Sequence, residues 1–365
     1  MSVIKSACRV KVFRKFVSSF VVLSFLFTFL IPANSVLAQG VALPTPGTLV
    51  PPSTSFEPII IKGIRIHPEN PLKFNFIVDP GDTQANEARL REEGLKLIKY
   101  FFATLTIPEN DLWVNLSPYE KNRIIPEGFG QTEMGRDLLA QDYLLKQLTA
   151  SLVHPETDLG KKFWNRVYAR AQELYGTSEI PMNTFNKVWI IPENATVYVH
   201  GTNAFVVRNH LKVMLEEDYL ALQQNKLTTS KAQAVSGVSS KIIKDIVIPE
   251  IEKEINEGEN FANLRQIYNS MILATWYKKE LHDGLLAKVY MDQNKVRGVD
   301  IQDKDAKQKI YNQYVEAFKK GVYNYIKEEV DPKSQQVVPR KYFSGGALGT
   351  TREGLAVTRD PAVGQ

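Results

Sequence analysis

The only cysteine, Cys8, stands near the N-terminus of a chain of 365 residues. Everything beyond it lacks disulfides, thiolate nucleophiles and Cys-ligated zinc or iron–sulfur sites. The fold must therefore rest on buried apolar surface. Length permits this, because 365 residues less the first 38 leave 327, enough for one large core or two smaller ones.

Residues 1–38 carry Lys5, Arg9, Lys11, Arg14 and Lys15 and no acidic side chain. Phe16–Ile31 is an uncharged, mostly apolar run, Pro32 breaks it, and Ser35-Val36-Leu37-Ala38 places small residues where signal peptidase reads them. This is the layout of a secretory signal peptide, with cleavage expected after Ala38. Uncleaved, the segment would be an anchor. However, sixteen residues at about 1.5 Å each span less than a hydrocarbon core of about 30 Å. The 45 Lys+Arg less those five leave 40 against 40 Asp+Glu. A neutral body offers no basic face for nucleic acid. Composition, with 44% hydrophobic and 23% charged residues, is that of a globular protein.

The predicted fold class is α+β: short antiparallel hairpins packed with amphipathic helices, and a helix-rich C-terminal half. Residues 39–58 contain five prolines and read as an extended tether or a disordered mature N-terminus. An α+β domain is expected over 59–225, a polar linker over 226–240, a helical region over 241–343 in the same domain or a second one, and a disordered tail over 344–365. Strands are expected over 59–66 and 72–78, around His67-Pro68-Glu69-Asn70. A three-stranded meander is expected over 185–208, its first turn at Ile191-Pro192-Glu193-Asn194 and its second at His200-Gly201-Thr202-Asn203. Met134, Leu138, Leu145, Leu148 and Leu152 mark one helix. Leu159, Phe163, Val167, Ala171 and Leu174 mark the next, giving a helical hairpin broken at His154-Pro155. A further stripe runs from Ile310 through Tyr314 and Phe318 to Tyr325.

Motifs for phosphate loops, dinucleotide binding, zinc hydrolases, serine hydrolases and EF-hands are lacking, so no cofactor is expected. His67, His154, His200, His210 and His282 are never three or four apart, so no helix face offers a two-His site and no metal is expected. A His near a carboxylate, such as His210 before Glu216-Glu217-Asp218, can act as a base; a solvated His near a helix start is the plainer reading. Asp79-Pro80-Gly81-Asp82 follows a strand. Paired carboxylates there suit acid–base chemistry on polysaccharides, while the same residues make a turn, with Asp82 capping the helix that begins at Ala85-Asn86-Glu87. Pro108–Glu133 is long for a connection and carries Trp113, Tyr119 and Arg123, which suit a binding loop or a loop packed onto the core.

The blocks Gly135–Tyr143 (GRDLLAQDY), His210–Tyr219 (HLKVMLEEDY) and Asn260–Tyr268 (NFANLRQIY) resemble those of a family of exported bacterial proteins of unknown function, over roughly Asp111–Gly346. The resemblance implies a bacterial, exported protein and carries over no catalytic residue. The sequence thus points to a non-catalytic exported protein, periplasmic or extracellular, with a structural or binding role toward a protein or polymer. It would touch a membrane only through a retained signal. The alternative is a hydrolase of envelope or extracellular polymers using two of Asp79, Asp82, Glu133 and Asp137, brought together in a cleft.

Overall fold

The computed structural model describes residues 43–67, 69–70, 73–117, 120–152, 154, 156–176, 187–216, 218–219, 243–282, 305–320, 326–330, 337–340 and 356–359. The expected signal segment and the expected linker over 226–240 lie outside the described residues. Residues on both sides of that linker belong to one unit, Leu43–Gln365.

Alternating apolar residues make β1 (Ile60–Ile66) and β2 (Phe74–Asp79), an antiparallel hairpin in register from Ile60↔Asp79 to Ile66↔Phe74. β3 (Val188–His200) and β4 (Asn203–Leu215) form a long second hairpin that closes through Gly201 at φ 56°. Glycine adopts that conformation without strain. β4 joins β1 antiparallel at Gly63↔Phe205, Ile64↔Ala204 and Arg65↔Asn203. With β7 (Ala356–Arg359) parallel to β3 along Thr196–Val199, the strand order is β2-β1-β4-β3-β7. β5 (Ile326–Val330) and β6 (Val337–Arg340) pair separately.

The helices are α1 (Glu87–Thr106), α2 (Glu127–Gly130), α3 (Glu133–Leu152), α4 (Asp158–Tyr175), α5 (Ile248–Glu257), α6 (Ala262–His282) and α7 (Ala306–Lys319). The protein is α+β with a helix-rich C-terminal half. The helical hairpin forms where the sequence places it, with Thr132 Oγ1 accepting from the Gly135 N–H at the start of α3. Thr157 caps α4, and Gly176, at φ 68°, ends it. α6 is the core helix. Leu264, Ile267, Tyr268, Met271, Leu273 and Tyr277 on successive faces are all buried. Phe74 of β2 meets Phe101 of α1 at 5.2 Å and Tyr277 of α6 at 4.9 Å between ring centres, both edge-on.

Several expectations are corrected. Ile191-Pro192-Glu193-Asn194 is no turn; β3 runs straight through it as a compensated bulge, with Asn194 at φ 56°. Pro192 loses no ladder bond there, because Leu211 opposite it directs both its N–H and its C=O to the Asn256 side chain. The meander is therefore one two-stranded ribbon, and His210 lies on a strand. The helical region contains the β5–β6 hairpin, and α7 ends at Lys319, before the Tyr325 end of the stripe. The tail contributes β7, too short to show a period, to the edge of β3.

The proline-rich segment is no free tether from residue 43 onward. Tyr143 Oη donates to the Pro44 carbonyl at 2.9 Å, and the Val50 N–H donates to Ser151 Oγ at 2.6 Å. Ser53 donates from N–H and Oγ to the buried Glu254 carboxylate, which also accepts from Asn260 Nδ2 at 2.9 Å. The Phe56 N–H reaches the Glu257 carbonyl at 2.9 Å. Proline removes donors, so the segment is tied by partners distant in sequence that local composition does not reveal.

Candidate functional site

Glu133 and Asp137 do come together, one turn apart on α3. Asp137 is buried, and its Oδ2 accepts from Tyr100 Oη of α1 at 2.5 Å, with Lys96 Nζ at 3.5 Å. Its Oδ1 faces Arg136 Nε at 3.6 Å. Glu133 pairs with Lys99 at 2.9 Å and faces Arg136 at 3.8 Å. Asn263 of α6 accepts from both Tyr100 Oη, at 3.1 Å, and Lys96, at 3.3 Å. Burial first, then the Asp137 charge, pushes the Tyr100 hydroxyl well above its ordinary value, so it remains a donor. Two carboxylates among three cations form a staple across α1, α3 and α6. A pair poised for acid–base work would face a cleft and divide the roles of acid and base.

Asp79 and Asp82 do not join them. Asp79 Oδ1 accepts from the Gly81 N–H at 3.1 Å, and Asp82 Oδ2 accepts from the Glu57 N–H at 2.8 Å. Both carboxylates thus fasten a turn. The helix cap belongs to Asn86, whose side chain accepts from the Arg89 N–H at 2.9 Å, rather than to Asp82.

The 108–133 segment is fixed to the core by buried Leu112, Val114, Leu116 and Phe129. The Asn115 N–H donates to the Ile124 carbonyl at 2.7 Å, and the Leu116 N–H donates to Asp142 Oδ2 at 3.0 Å. Trp113 is half-buried, with the exposed Arg123 guanidinium 5.5 Å from its ring centre, so one aromatic face already has a cation. Tyr119 lies outside the described residues.

A concave site does exist, at a place the sequence did not single out. β1 and β4 pair for three residues and then part at Gly63, where an added Cβ would lie 2.5 Å from the Ala204 carbonyl oxygen. Beyond that point each strand has backbone groups with no strand to meet them. Helix side chains take the place of the missing ladder. Gln266 and Asn269 of α6 donate to the Ile59 and Ile61 carbonyls at 2.8 and 3.1 Å. Asn256 of α5 clasps the backbone of Leu211, and Glu252 accepts from the Val213 N–H at 3.0 Å. The parted strands flank an open cleft of about 180 Å³. Lys62 of β1 and Arg208 and Asn209 of β4 form its sides, with Asn256, Arg265 and Asn269 behind them. Glu57 is its one acidic lining residue.

No protein-family model, no curated protein and no solved structure matches this chain. The pocket must therefore be read from its own chemistry. Arg265 donates to three carbonyls, of Ile255, Gly258 and Phe56, at 2.6–2.9 Å, while its Nε has no hydrogen-bond partner among the described residues. Burial lowers its pKa. Lys62 and Arg208 have no ion-pair partner among the described residues. The sequence did hold one signal of this region: Asn263, Gln266, Asn269 and Ser270 interleaved with Leu264, Ile267, Tyr268 and Met271 on one helix, polar residues that must have partners inside the protein.

Proposed function

We propose that this is an exported protein with a binding role, periplasmic or extracellular, that does its work without catalysis. The basic, apolar and small-residue layout of 1–38 supports export with cleavage after Ala38. The observation that carries the binding reading is the division of labour among side chains. All four candidate carboxylates are engaged by cations, a tyrosine hydroxyl or backbone amides, whereas the pocket is lined mainly by amide and cationic groups. Such groups hold a ligand but provide no acid–base pair. The partner is a polymer or a protein, reached without nucleic-acid contacts because the body of the chain is neutral. A membrane enters only if the signal is retained.

Two measurements test this reading. N-terminal sequencing of protein recovered from the export compartment of a bacterium making the full chain should begin at Gln39. Incubated with peptidoglycan and with an acidic exopolysaccharide, the protein should leave both undegraded. Polymer cleavage that disappears in E133Q or D137N would establish the hydrolase instead. Asp137→Asn is itself expected to lower stability by about 1–3 kcal/mol through the weakened Tyr100 and Lys96 contacts, read as a lower midpoint of thermal unfolding.

A further inference from the structure

We infer that the open edge of β2 joins a second copy of this chain, the two β2 strands pairing antiparallel about a two-fold axis so that the two sheets run on as one. The join goes beyond the binding reading above and does not depend on it.

Backbone direction makes the edge available. β2 ends the sheet, with β1 as its one strand neighbour. The Ile66 N–H donates to the Thr202 carbonyl at 2.8 Å, in register with the β1–β4 pairing. Ile64 and Ile66 therefore turn their backbone groups toward β4, and Gly63 and Arg65 turn theirs toward β2. Their partners Ile77 and Asn75 face β1 in return, so Phe74, Phe76 and Val78 present N–H and C=O outward. Outside the β1–β2 ladder, none of these three has a backbone hydrogen bond to another described residue. Natural edges are guarded by shortness, lysine or proline. The opposite end of the sheet is the short β7, with 4 residues. β2 has 6, Phe-Asn-Phe-Ile-Val-Asp, with neither lysine nor proline among them.

Apolar surface continues from that edge. Among the described residues four large apolar side chains are exposed, and two of them, Val78 at 36% and Leu95 at 54%, lie here. α1 runs close beside β2, since a Cβ added at Gly94 would lie 4.0 Å from Val78 Cγ2. Phe102, half-buried on the same helix, meets Phe74 edge-on at 6.0 Å and Phe76 at 6.4 Å between ring centres. A strand added to β2 covers Val78 and extends this apolar layer.

Charge selects a second copy as the occupant. Outward-facing residues pair only with outward-facing residues, and one antiparallel register uses all three. It sets Phe76 opposite the partner's Phe76 and Phe74 opposite the partner's Val78, each such pair exchanging two hydrogen bonds. That register also places Lys73, just before the strand, opposite the partner's Asp79, and it does so at both ends. The segment Lys73–Asp79 is thus complementary to an inverted copy of itself, which is what a two-fold interface requires.

Sedimentation equilibrium of the protein recovered from the export compartment, over a range of concentrations, is expected to reach twice the chain mass. Treated with a carbodiimide, which joins an amine directly to a carboxylate, the dimer should yield a cross-linked peptide containing Lys73 and Asp79. Within one chain these residues lie six positions apart on an extended strand, roughly 20 Å at about 3.3 Å each, so the link forms only between copies. Val78→Lys buries a charge in the join, and Lys73→Asp sets acid against acid at both ends. Each variant should raise the dissociation constant by about tenfold or more while keeping the circular dichroism of the unmodified chain, because both side chains are exposed. A single-chain mass at every concentration overturns the inference. So does a dimer that forms equally well in both variants, or one whose cross-links lack the Lys73–Asp79 pair.

Discussion

Replacing Lys146 with Met is expected to destabilise the protein by about 3–5 kcal/mol, the range for removing one partner of a buried ion pair. Lys146 and Asp142 lie one turn apart on α3 and are almost fully enclosed, at 1% and 4% side-chain exposure, with Nζ 2.8 Å from Oδ2. Nζ also stands 5.7 Å from the centre of the Tyr314 ring on α7. Met fills the space but leaves the Asp142 charge in the interior with the Leu116 N–H as its remaining neighbour. Adding Asp142→Asn should recover most of the loss, because the neutral amide still accepts from Leu116. Equal stability of K146M and the unmodified chain in urea would contradict this account.

The same lysine sets a pH dependence. Burial lowers its pKa from 10.5 to about 8, partly opposed by Asp142. Below pH 8 the group is protonated both folded and unfolded, so its unfavourable burial is fully felt. As pH rises from 8 toward 10.5 the folded state releases its proton first, and stability climbs by about 3 kcal/mol in total. Tyr100, Tyr143 and Tyr268 are shifted upward, chiefly by burial, so above about pH 10 they reverse the trend as the unfolded chain ionises first. Urea midpoints should therefore rise from pH 8 to near 10 and then fall. In K146M the rise should vanish and the fall remain.

Removal of the Glu254 carboxylate has the second largest expected effect. Glu254 is 5% exposed and holds Ser53, by backbone and hydroxyl, together with Asn260. Gly258 packs so closely that a Cβ there would come 2.4 Å from the carboxylate. Hydrogen bonds to a charged group contribute about 1.5–3 kcal/mol each and are not additive, so Glu254→Ala should lose about 3 kcal/mol at this point. The loss falls on attachment of the 43–58 segment. Proteinase K should cut within that segment about 100-fold faster in E254A than in the unmodified chain, since every 1.4 kcal/mol is tenfold in the open population. Unchanged protection would mean that Tyr143, Ser151 and Arg265 hold the segment without it.

What could be read from the sequence follows from which interactions are local. The β1–β2 hairpin and the α3–α4 hairpin announce themselves through period 2 and period 3.6. The Pro192-Glu193-Asn194 bulge misleads because Pro and Asn suit a turn and a bulge equally. Only the partner strand, and Asn256 serving Leu211, decides between them. α6 shows no amphipathic stripe because it is buried on every side. The 43–58 segment is fixed mostly by residues more than 90 positions away, with Asp82 holding Glu57 nearer by. Of the candidate residues, Glu133 and Asp137 do meet, since four positions on a helix make neighbours, but Tyr100, Lys96 and Asn263 come from other helices. The pocket was least legible of all. It exists because two strands part, and the pairing that ends at Gly63 joins residues far apart in sequence.

A single native mass spectrum tests the central claim most directly. The protein is recovered from the export compartment of a bacterium making the full chain and mixed with a glucuronic acid oligomer. The account predicts chains of the mass of Gln39–Gln365 and an oligomer returned intact. A chain still beginning at Met1, or an oligomer returned in shorter pieces, would contradict it.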